Sequence, residues 1–226
     1  MAAIKVHHLN DSRSQRVLWL LEELGLPYDI EFYERNRKTW LAPATLRKVH
    51  PLGKAPVITE GDVTVAESGA ILEYLVDHHG GGRLKPAAGT PEALQYRYWM
   101  HFAEGSAMPP LLLKLVFERI KSTRMPFFVK PIAHMIANKA LGAVVDPNLK
   151  NQLDFMEAEL GQREWFAGAE FTAADIQMSF PLEAAAQRAG LDASRPRLYD
   201  FLQRIHARPA FHRALQRGGP YSFASD

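Results

Sequence analysis

The chain of 226 residues contains no cysteine. This absence excludes disulfide bridges, cysteine nucleophiles and thiolate metal sites. No apolar run reaches the ~18 residues that a membrane-spanning helix needs, and the N-terminal sequence MAAIKVHHLND lacks the apolar core of a signal peptide. These absences predict a cytoplasmic protein without a membrane partner.

The chain also has little net charge. Its 27 Lys and Arg residues and 25 Asp and Glu residues leave a formal charge of +2, and no basic block with interleaved aromatic residues is present, so nucleic acid is not an expected partner. The histidine pairs His7–His8 and His78–His79 lack the spacing of a helical metal site. We expect solvated or strand-edge histidines and no metal. Glycine-rich nucleotide loops and G-x-S-x-G elbows are absent as well.

The first 80 residues alternate strand and helix patterns. Residues 4–9 alternate as a strand, and apolar residues at helical spacing follow until Gly25 and Pro27. Residues 28–34 predict a second strand, with Tyr28, Ile30 and Phe32 on one face. The remaining elements are an irregular helical stretch (39–50), a hairpin (55–67) and a helix (67–80).

Beyond a Gly- and Pro-rich segment at 79–92, the chain is helical throughout. Apolar residues recur at a spacing of three to four in segments near 91–121, 125–161, 172–189 and 195–216. The pattern predicts a small α/β domain at 1–80, a linker at 81–91 and an all-α domain at 92–226.

Polar residues lead into the first helix in the stretch LNDSRSQRVLWLLEELGL (9–26). Ser12 and Gln15 have the spacing of a capping box, S-x-x-Q. A hydroxyl at a helix N-terminus beside a strand end is also suited to stabilise an anion such as a thiolate. On its own, this motif favours the helix cap.

Two further motifs lie where strands begin or end. In HPLGKAPVI (50–58), Pro56 precedes a strand, and the exposed backbone of Ala55 could pair with a peptide-like ligand. In VAESGAIL (65–72), Glu67 and Ser68 lie where a strand leads into a helix. Ser68 could donate to a ligand carboxylate, and Glu67 could accept from a ligand ammonium group. Alternatively, the two residues only cap the helix.

A third motif, GAEFTAADI (168–176), lies in the helical part. Thr172 and Asp175 have the spacing of a capping-box variant. We therefore expect these two residues to start a core helix rather than to perform chemistry.

Together, the pieces SRSQRVLWLLEELGLPYD, HPLGKAPVI, ESGAILEYL and FTAADI occur in one order, and the chain resembles a cytosolic glutathione transferase over essentially its whole length. The resemblance implies a thioredoxin-like domain that binds glutathione and an all-helical domain that contributes the pocket for a hydrophobic electrophile. It also implies a homodimer that acts in detoxification, with glutathione as co-substrate.

The resemblance carries roles to individual residues. Pro56 would follow a cis peptide bond, and Ala55 would pair with the cysteinyl part of glutathione. Glu67 and Ser68 would hold the γ-glutamyl end. Lys54 is a weaker candidate for a contact with glutathione. Trp40 and His50 are weaker candidates for contacts with its glycyl carboxylate.

The sulfur contact has three candidates. The offset between Ser12 and Arg16 resembles that of serine-type members, in which a hydroxyl hydrogen-bonds the glutathione sulfur. Asn10 and Ser14 remain alternatives. Tyrosine-type members are a poor match, because no tyrosine precedes Tyr28.

The function implied is attack by glutathione thiolate on an electrophile or hydroperoxide, with the thiolate stabilised by a hydroxyl at the start of the first helix. Two alternatives stay open on the same fold: a regulatory or interaction protein without catalysis, and a glutathione-dependent isomerase or dehalogenase.

Overall fold

The N-terminal part of the chain folds as a four-stranded mixed sheet with helices. The structure is a computed structural model and describes residues 3–224; residues 1–2 and 225–226 of the predicted domains lie outside the described residues. The elements are β1 (Ile4–Leu9), α1 (Ser14–Leu24), β2 (Tyr28–Tyr33), a 3₁₀ turn (Ala44–Lys48), β3 (Val57–Glu60), β4 (Val63–Ala66) and α2 (Ser68–His79).

The strand order is β2-β1-β3-β4. Strand β1 pairs in parallel with β2 and antiparallel with β3, and β3 pairs antiparallel with β4. The parallel pair with its connecting helix and the following hairpin confirm the predicted thioredoxin-like arrangement.

The C-terminal part is helical. Segments of π-helix at Ala103–Ala107 and Leu141–Val145 join α3 to α4 and α5 to α6. The helices are α3 (Pro91–Phe102), α4 (Met108–Ser122), α5 (Lys130–Ala140), α6 (Asp146–Leu160), α7 (Ala173–Arg188), α8 (Pro196–His206) and α9 (Pro209–Gly218), followed by a 3₁₀ turn at Ser222–Ala224.

The predicted helix at 195–216 is divided in two. Helix α8 ends at His206, and α9 begins at Pro209. The break follows from proline, which lacks an N–H and favours the first turn of a helix over its interior.

Helix α1 lies between the sheet and α9. Its buried residues include Val17, Leu18, Trp19 and Leu21, all fully shielded from solvent. Trp19 packs edge-on against Phe211 of α9, with ring centroids 5.2 Å apart. The leucine run of α1 therefore anchors the helical part to the sheet.

The predicted capping box at the start of α1 is wrong. The helix begins at Ser14, and Arg13 occupies the N-cap without a side-chain cap hydrogen bond; the Ser12 hydroxyl instead accepts from the first helical N–H, that of Ser14. Helix α2 likewise has Glu67 rather than Ser68 at its N-cap. At both sites a serine hydroxyl takes other partners, which are described below.

The expectation that His7 and His8 are solvated or at a strand edge is also wrong. Both are buried, with 4% and 3% exposure. Their strand β1 has neighbours on both sides, so it lies in the middle of the sheet. Conversely, β2 is an edge strand, and Phe32, which we expected on one face with Tyr28 and Ile30, is 59% exposed, whereas Tyr28 is buried.

Thr172 and Asp175 form a capping box at the start of α7. The buried carboxylate of Asp175 accepts from the backbone N–H of Phe166 (2.9 Å) and of Thr172 (2.8 Å), and from the Thr172 hydroxyl (3.1 Å). Burial raises the pKa of Asp175 to about 6 even though these donors favour the ionised form.

We expect Asp175→Ala to lower the free energy of unfolding by about 2–4 kcal/mol, because three buried donors lose their acceptor. The folded pKa of Asp175 lies above its ordinary value of 3.8. The stability difference from the parent protein should therefore be largest below pH 3.8 and shrink as the pH rises through about 6.

Denaturant unfolding across this pH range measures both effects. Asp192→Ala is the matched control, since exposed Asp192 also accepts a backbone N–H, from Ser194. An Asp175 variant that loses no more stability than the Asp192 variant would contradict the role of the buried cap.

Candidate active site

Several of the predicted site residues lie along one edge of the sheet. The register pairs His7 of β1 with Val57 of β3, and Val57 with Ala66 of β4. The residue before Val57 is Pro56, the residue after Ala66 is Glu67, and β1 leads at this same edge into the loop that carries Asn10. The edge therefore brings together the end of β1, the turn before β3 and the start of α2.

The peptide bond between Ala55 and Pro56 is cis, as predicted. Ala55 packs against the small apolar cluster of Leu9, Tyr33 and Leu46, which ties this turn to the ends of β1 and β2. The turn before β3 is thus held next to the loop that follows β1.

The remaining predicted contacts are more open. Lys54 and Glu67 are exposed, and His50 is half-buried. Glu67 has a positive φ of 72°, a conformation that costs a non-glycine residue about 1–3 kcal/mol and that recurs at functional sites. Trp40 also has a positive φ, of 60°, and is 51% exposed.

The hydroxyl groups of Ser12 and Ser14 point inward. Ser12 is 4% exposed; its hydroxyl donates to the Leu9 carbonyl (2.7 Å) and accepts from the Ser14 N–H (3.2 Å). The hydroxyl of fully buried Ser14 lies 2.9 Å from Nδ1 of His8. Acceptors within the protein thus surround both hydroxyl groups.

The protonation state of His8 explains this arrangement. Burial lowers the pKa of His8 to about 4, so its ring is neutral at neutral pH and carries a single N–H. A hydrogen bond between the ring and the backbone of Gly218 uses that N–H. Nδ1 is then left to accept the proton of the Ser14 hydroxyl.

Asn10 presents a different kind of group. Its backbone N–H donates to the Tyr33 carbonyl (3.2 Å), and its side-chain oxygen accepts from the backbone N–H of Arg35 (2.8 Å). Because the backbone N–H of Arg35 is a donor, the Asn10 side-chain atom bonded to it is the oxygen. The side-chain nitrogen of Asn10 therefore points away from Arg35. Within residues 3–224 that nitrogen has no hydrogen-bond partner, and Asn10 is partly exposed.

A cavity of about 490 Å³ opens next to Asn10. Its walls come from the ends of β1 and β2, the loop up to Trp40 and the segment after α9. Ser12 and Ser14 do not line it. Of the predicted site residues, Asn10 and Trp40 do.

Ser68 is held by a buried cation. Arg16 of α1, 1% exposed, donates to the Ser68 hydroxyl (3.0 Å) and to the carbonyl of Gln177 in α7 (2.5 Å). It also pairs with Glu104 (2.6 Å), to which Arg13 donates as well (2.9 Å). Because its hydroxyl oxygen already accepts from Arg16, Ser68 keeps its own proton for another acceptor.

Two arginines share one carboxylate in this cluster. Burial lowers the pKa of Arg16, and the neighbouring Glu104 opposes that shift. Burial would raise the pKa of Glu104, but the charges of Arg16 and Arg13 outweigh it and hold that pKa below its ordinary value. Both groups are therefore ionised at neutral pH.

The segment after α9 crosses the loop that follows β1. The side chain of Asp11 accepts from the backbone N–H and the hydroxyl of Ser222, at 2.8 and 2.7 Å. Tyr221 donates to buried Glu183 (2.5 Å), and Phe223 packs against Phe180, with centroids 5.0 Å apart. Residues 221–223 are thus held against α7 and the loop after β1.

Sequence reasoning missed three groups that shape the site: the cation of Arg16, the carboxylate of Glu104 and the guanidinium of Arg35. An arginine among the buried positions of an apolar helix was a usable signal for Arg16. Glu104 and Arg35 gave none, because their partners lie far away in the sequence.

Over residues 3–224, no group of three or more His, Asp or Glu side chains is arranged to hold a metal ion. In the same range, no helix is long and apolar enough to cross a membrane.

Known proteins resemble this chain in sequence and in fold. Residues 12–78 match the family model of the glutathione S-transferase N-terminal domain, and residues 120–209 match that of the C-terminal domain. Glutathione S-transferase 1 of Saccharomyces cerevisiae is 36% identical over 192 residues, which cover 82% of each chain. Glutathione S-transferase 3 of Schizosaccharomyces pombe is 38% identical over 182 residues, 80% of this chain and 74% of that one.

Solved structures agree with these matches. A glutathione S-transferase from Actinobacillus pleuropneumoniae superposes with a TM-score of 0.79 at 28% identity, covering 99% of this chain and 96% of that one. A sphingomonad glutathione S-transferase solved with glutathione has a TM-score of 0.72 at 24% identity, covering 95% and 98%, and supports the fold alone. Both family models and two relatives above 30% identity agree, and the chain belongs to the glutathione S-transferase family.

Proposed function

We propose that the protein is an enzyme that transfers glutathione to hydrophobic electrophiles, with the thiolate stabilised by the side-chain amide of Asn10. The observation that carries this proposal is the Asn10 side chain. Its oxygen accepts from the Arg35 N–H, its amide nitrogen has no hydrogen-bond partner within residues 3–224, and the residue lines a cavity at the edge of the sheet. The names of the relatives support glutathione as the co-substrate.

The γ-glutamyl end of glutathione would bind at the start of α2. The Ser68 hydroxyl, which accepts from Arg16, would donate to the ligand carboxylate. The N-terminus of α2 and the buried cation of Arg16 both favour a negative charge there. Exposed Glu67 would accept from the ligand ammonium. The backbone of Ala55 would pair with the cysteinyl part, and Lys54, Trp40 and His50 are left as candidates near the glycyl end.

The chemical task is to favour thiolate over thiol near neutral pH. A hydrogen bond to the anion lowers the thiol pKa, and so does the positive end of α1. The serine hydroxyl groups already have acceptors inside the protein, Leu9 for Ser12 and His8 for Ser14. The side-chain N–H groups of Asn10 have no acceptor within residues 3–224, so we favour Asn10 over Ser12 for the contact with the glutathione sulfur. Ser12 and Ser14 stay the alternatives.

The electrophile would enter next to the sulfur, where the protein supplies position and electrostatics and glutathione supplies the nucleophile. Attack of the same thiolate on a hydroperoxide would form an S–O bond and break the O–O bond, and the alcohol would leave after taking up a proton. A second glutathione would then displace water from the sulfenic acid to give the disulfide. The cytoplasmic location expected from the sequence stays a prediction.

Replacement of the three candidate donors tests the sulfur contact. We expect Asn10→Ala to raise the pKa of the bound glutathione thiol by about one to two units, because a hydrogen bond to a charged group contributes about 1.5–3 kcal/mol. Titration of thiolate ultraviolet absorbance in the binary complex measures this pKa. Ser12→Ala and Ser14→Ala, the matched controls, should leave it near the parent value.

A larger pKa shift in a serine variant than in Asn10→Ala would assign the sulfur contact to a serine hydroxyl. A thiol pKa that rises in Ser12→Ala and not in Asn10→Ala would contradict the amide contact. Glutathione affinity, measured by calorimetry on the same variants, separates loss of thiolate stabilisation from loss of binding.

A second test addresses the γ-glutamyl contacts. The double variant Glu67→Ala/Ser68→Ala should fold and yet lose retention on immobilised glutathione, because both ligand-facing polar groups are removed. The matched control is Asp62→Ala/Thr64→Ala, which removes the same kinds of group from exposed positions of the adjacent hairpin. Normal retention of the Glu67/Ser68 variant would rule out this assignment.

We also propose a homodimer, formed through the α4–α5 face. We define this face by the large hydrophobic residues that are exposed between positions 112 and 144. An apolar surface of this size marks an interaction site more often than free surface, and twofold dimers are the commonest assembly. The residues are Leu112, Leu113, Val116, Ile120, Phe127, Phe128, Val129, Ile132, Met135, Ile136 and Val144.

Ile136→Glu tests the dimer. Ile136 is 58% exposed in the single chain, and a carboxylate buried in an apolar interface should weaken self-association at least ~tenfold. Analytical ultracentrifugation measures the dissociation constant. Tyr199→Glu on α8, 45% exposed and outside the α4–α5 face, is the control. Equal dissociation constants for the two variants would exclude this face as the interface.

A further inference from the structure

Arg35 joins two loops at the edge of the cavity. Its Nε donates to the carbonyl of Asn10 (3.2 Å), its Nη2 to the carbonyl of Asp11 (3.3 Å) and its Nη1 to the carbonyl of Trp40 (3.0 Å). The backbone N–H of the same residue donates to the side-chain oxygen of Asn10 (2.8 Å). One residue thus holds both the main chain and the side chain of Asn10.

Two of these carbonyls belong to strained residues. Asp11 has a φ of 48° and Trp40 a φ of 60°. A non-glycine residue keeps such a conformation only where surrounding contacts hold it. The guanidinium of Arg35 supplies a contact of this kind to both residues, from β2 across to the loop after β1.

The three donors need the shape of a guanidinium. Its N–H groups lie in one plane and point in fixed directions, so a single side chain can reach three separate carbonyl oxygens. A lysine ammonium carries the same charge at one point and lacks this geometry. Burial lowers the pKa of Arg35 while the charge of Asp11 opposes that shift.

We infer that Arg35 is a positioning residue for catalysis, which holds the loop of Asn10 so that the side-chain amide nitrogen faces the glutathione sulfur. The inference rests on the proposed Asn10 contact. Arg35 also lines the cavity, but its catalytic role would act through Asn10 and not through a contact with the reacting sulfur.

The orientation of the amide follows from its partners. The side-chain oxygen of Asn10 is bonded to the N–H of Arg35, so rotation of the amide by 180° would set two donors against each other. The side chain of Arg35 keeps the Asn10 backbone within reach of that bond. When the guanidinium is lost, the loop can relax, and the amide nitrogen leaves the position where the thiolate forms.

Two substitutions separate geometry from charge. Arg35→Lys keeps the positive charge and removes the planar set of donors, whereas Arg35→Gln removes both. We expect each to raise the pKa of the bound glutathione thiol by about one unit, and to lower kcat at neutral pH about tenfold while KM for glutathione changes by less than about twofold.

The control is Lys38→Gln, which removes the same charge from an exposed position of the same loop outside the cavity wall. It should leave the thiol pKa and kcat unchanged. Thermal unfolding of each variant tests for general destabilisation. If Arg35→Gln does not fold, the thiol pKa and kcat of Arg35→Lys still test the inference.

A double variant tests whether Arg35 acts through Asn10. Adding Arg35→Gln to Asn10→Ala should raise the thiol pKa no further than Asn10→Ala alone, because coupled residues are not additive. Additive shifts would overturn the inference, and so would a parent-like thiol pKa in Arg35→Lys, which would show that charge alone suffices.

The remaining outcomes separate this inference from the proposed function. If Asn10→Ala raises the thiol pKa and neither Arg35 variant does, the positioning role is wrong and the Asn10 contact stands. If Asn10→Ala itself leaves the thiol pKa unchanged, the Asn10 contact is wrong and the inference falls with it.

Discussion

A buried guanidinium holds the two parts of this molecule together. Arg16 lies buried in the first turn of α1 and bonds to α2 through Ser68, to α7 through the Gln177 carbonyl and to Glu104 between α3 and α4. A buried charge without partners would be costly by several kcal/mol. The requirement to satisfy Arg16 therefore ties the start of α2 to a fixed position relative to the helical part.

The same demand for hydrogen-bond partners decides which group is free for chemistry. At the end of β1, two serine hydroxyl groups and a neutral histidine use one another and the local backbone. Asn10 uses its oxygen on β2 and keeps its amide nitrogen. Two nearby residues, Asp11 and Trp40, have positive φ values, and the Arg35 side chain donates to the carbonyls of both.

Local patterns in the sequence were sufficient for most elements. The strand at Ile4–Leu9, the hairpin and α2 follow from alternation, turn glycine and helical spacing over a few residues. The errors arose where the answer depended on neighbours. His7 and His8 are buried because β1 is central, and Phe32 is exposed because β2 is an edge strand. Strand order is a property of the whole sheet, and no single strand pattern encodes it.

The sequence by itself determined the family, the two kinds of fold along the chain, and the residue types at the edge of the sheet. Its motifs are short and keep their spacing, so they can be recognised without a fold. Only the tertiary structure decided which donor is unpaired, since the donor to the Asn10 oxygen, the N–H of Arg35, reaches it only when the ends of β1 and β2 meet. It also revealed Arg16, whose partner Gln177 lies 161 positions away. Hydrogen-bond satisfaction is set by neighbours in space, and those neighbours are assigned only when the chain has folded.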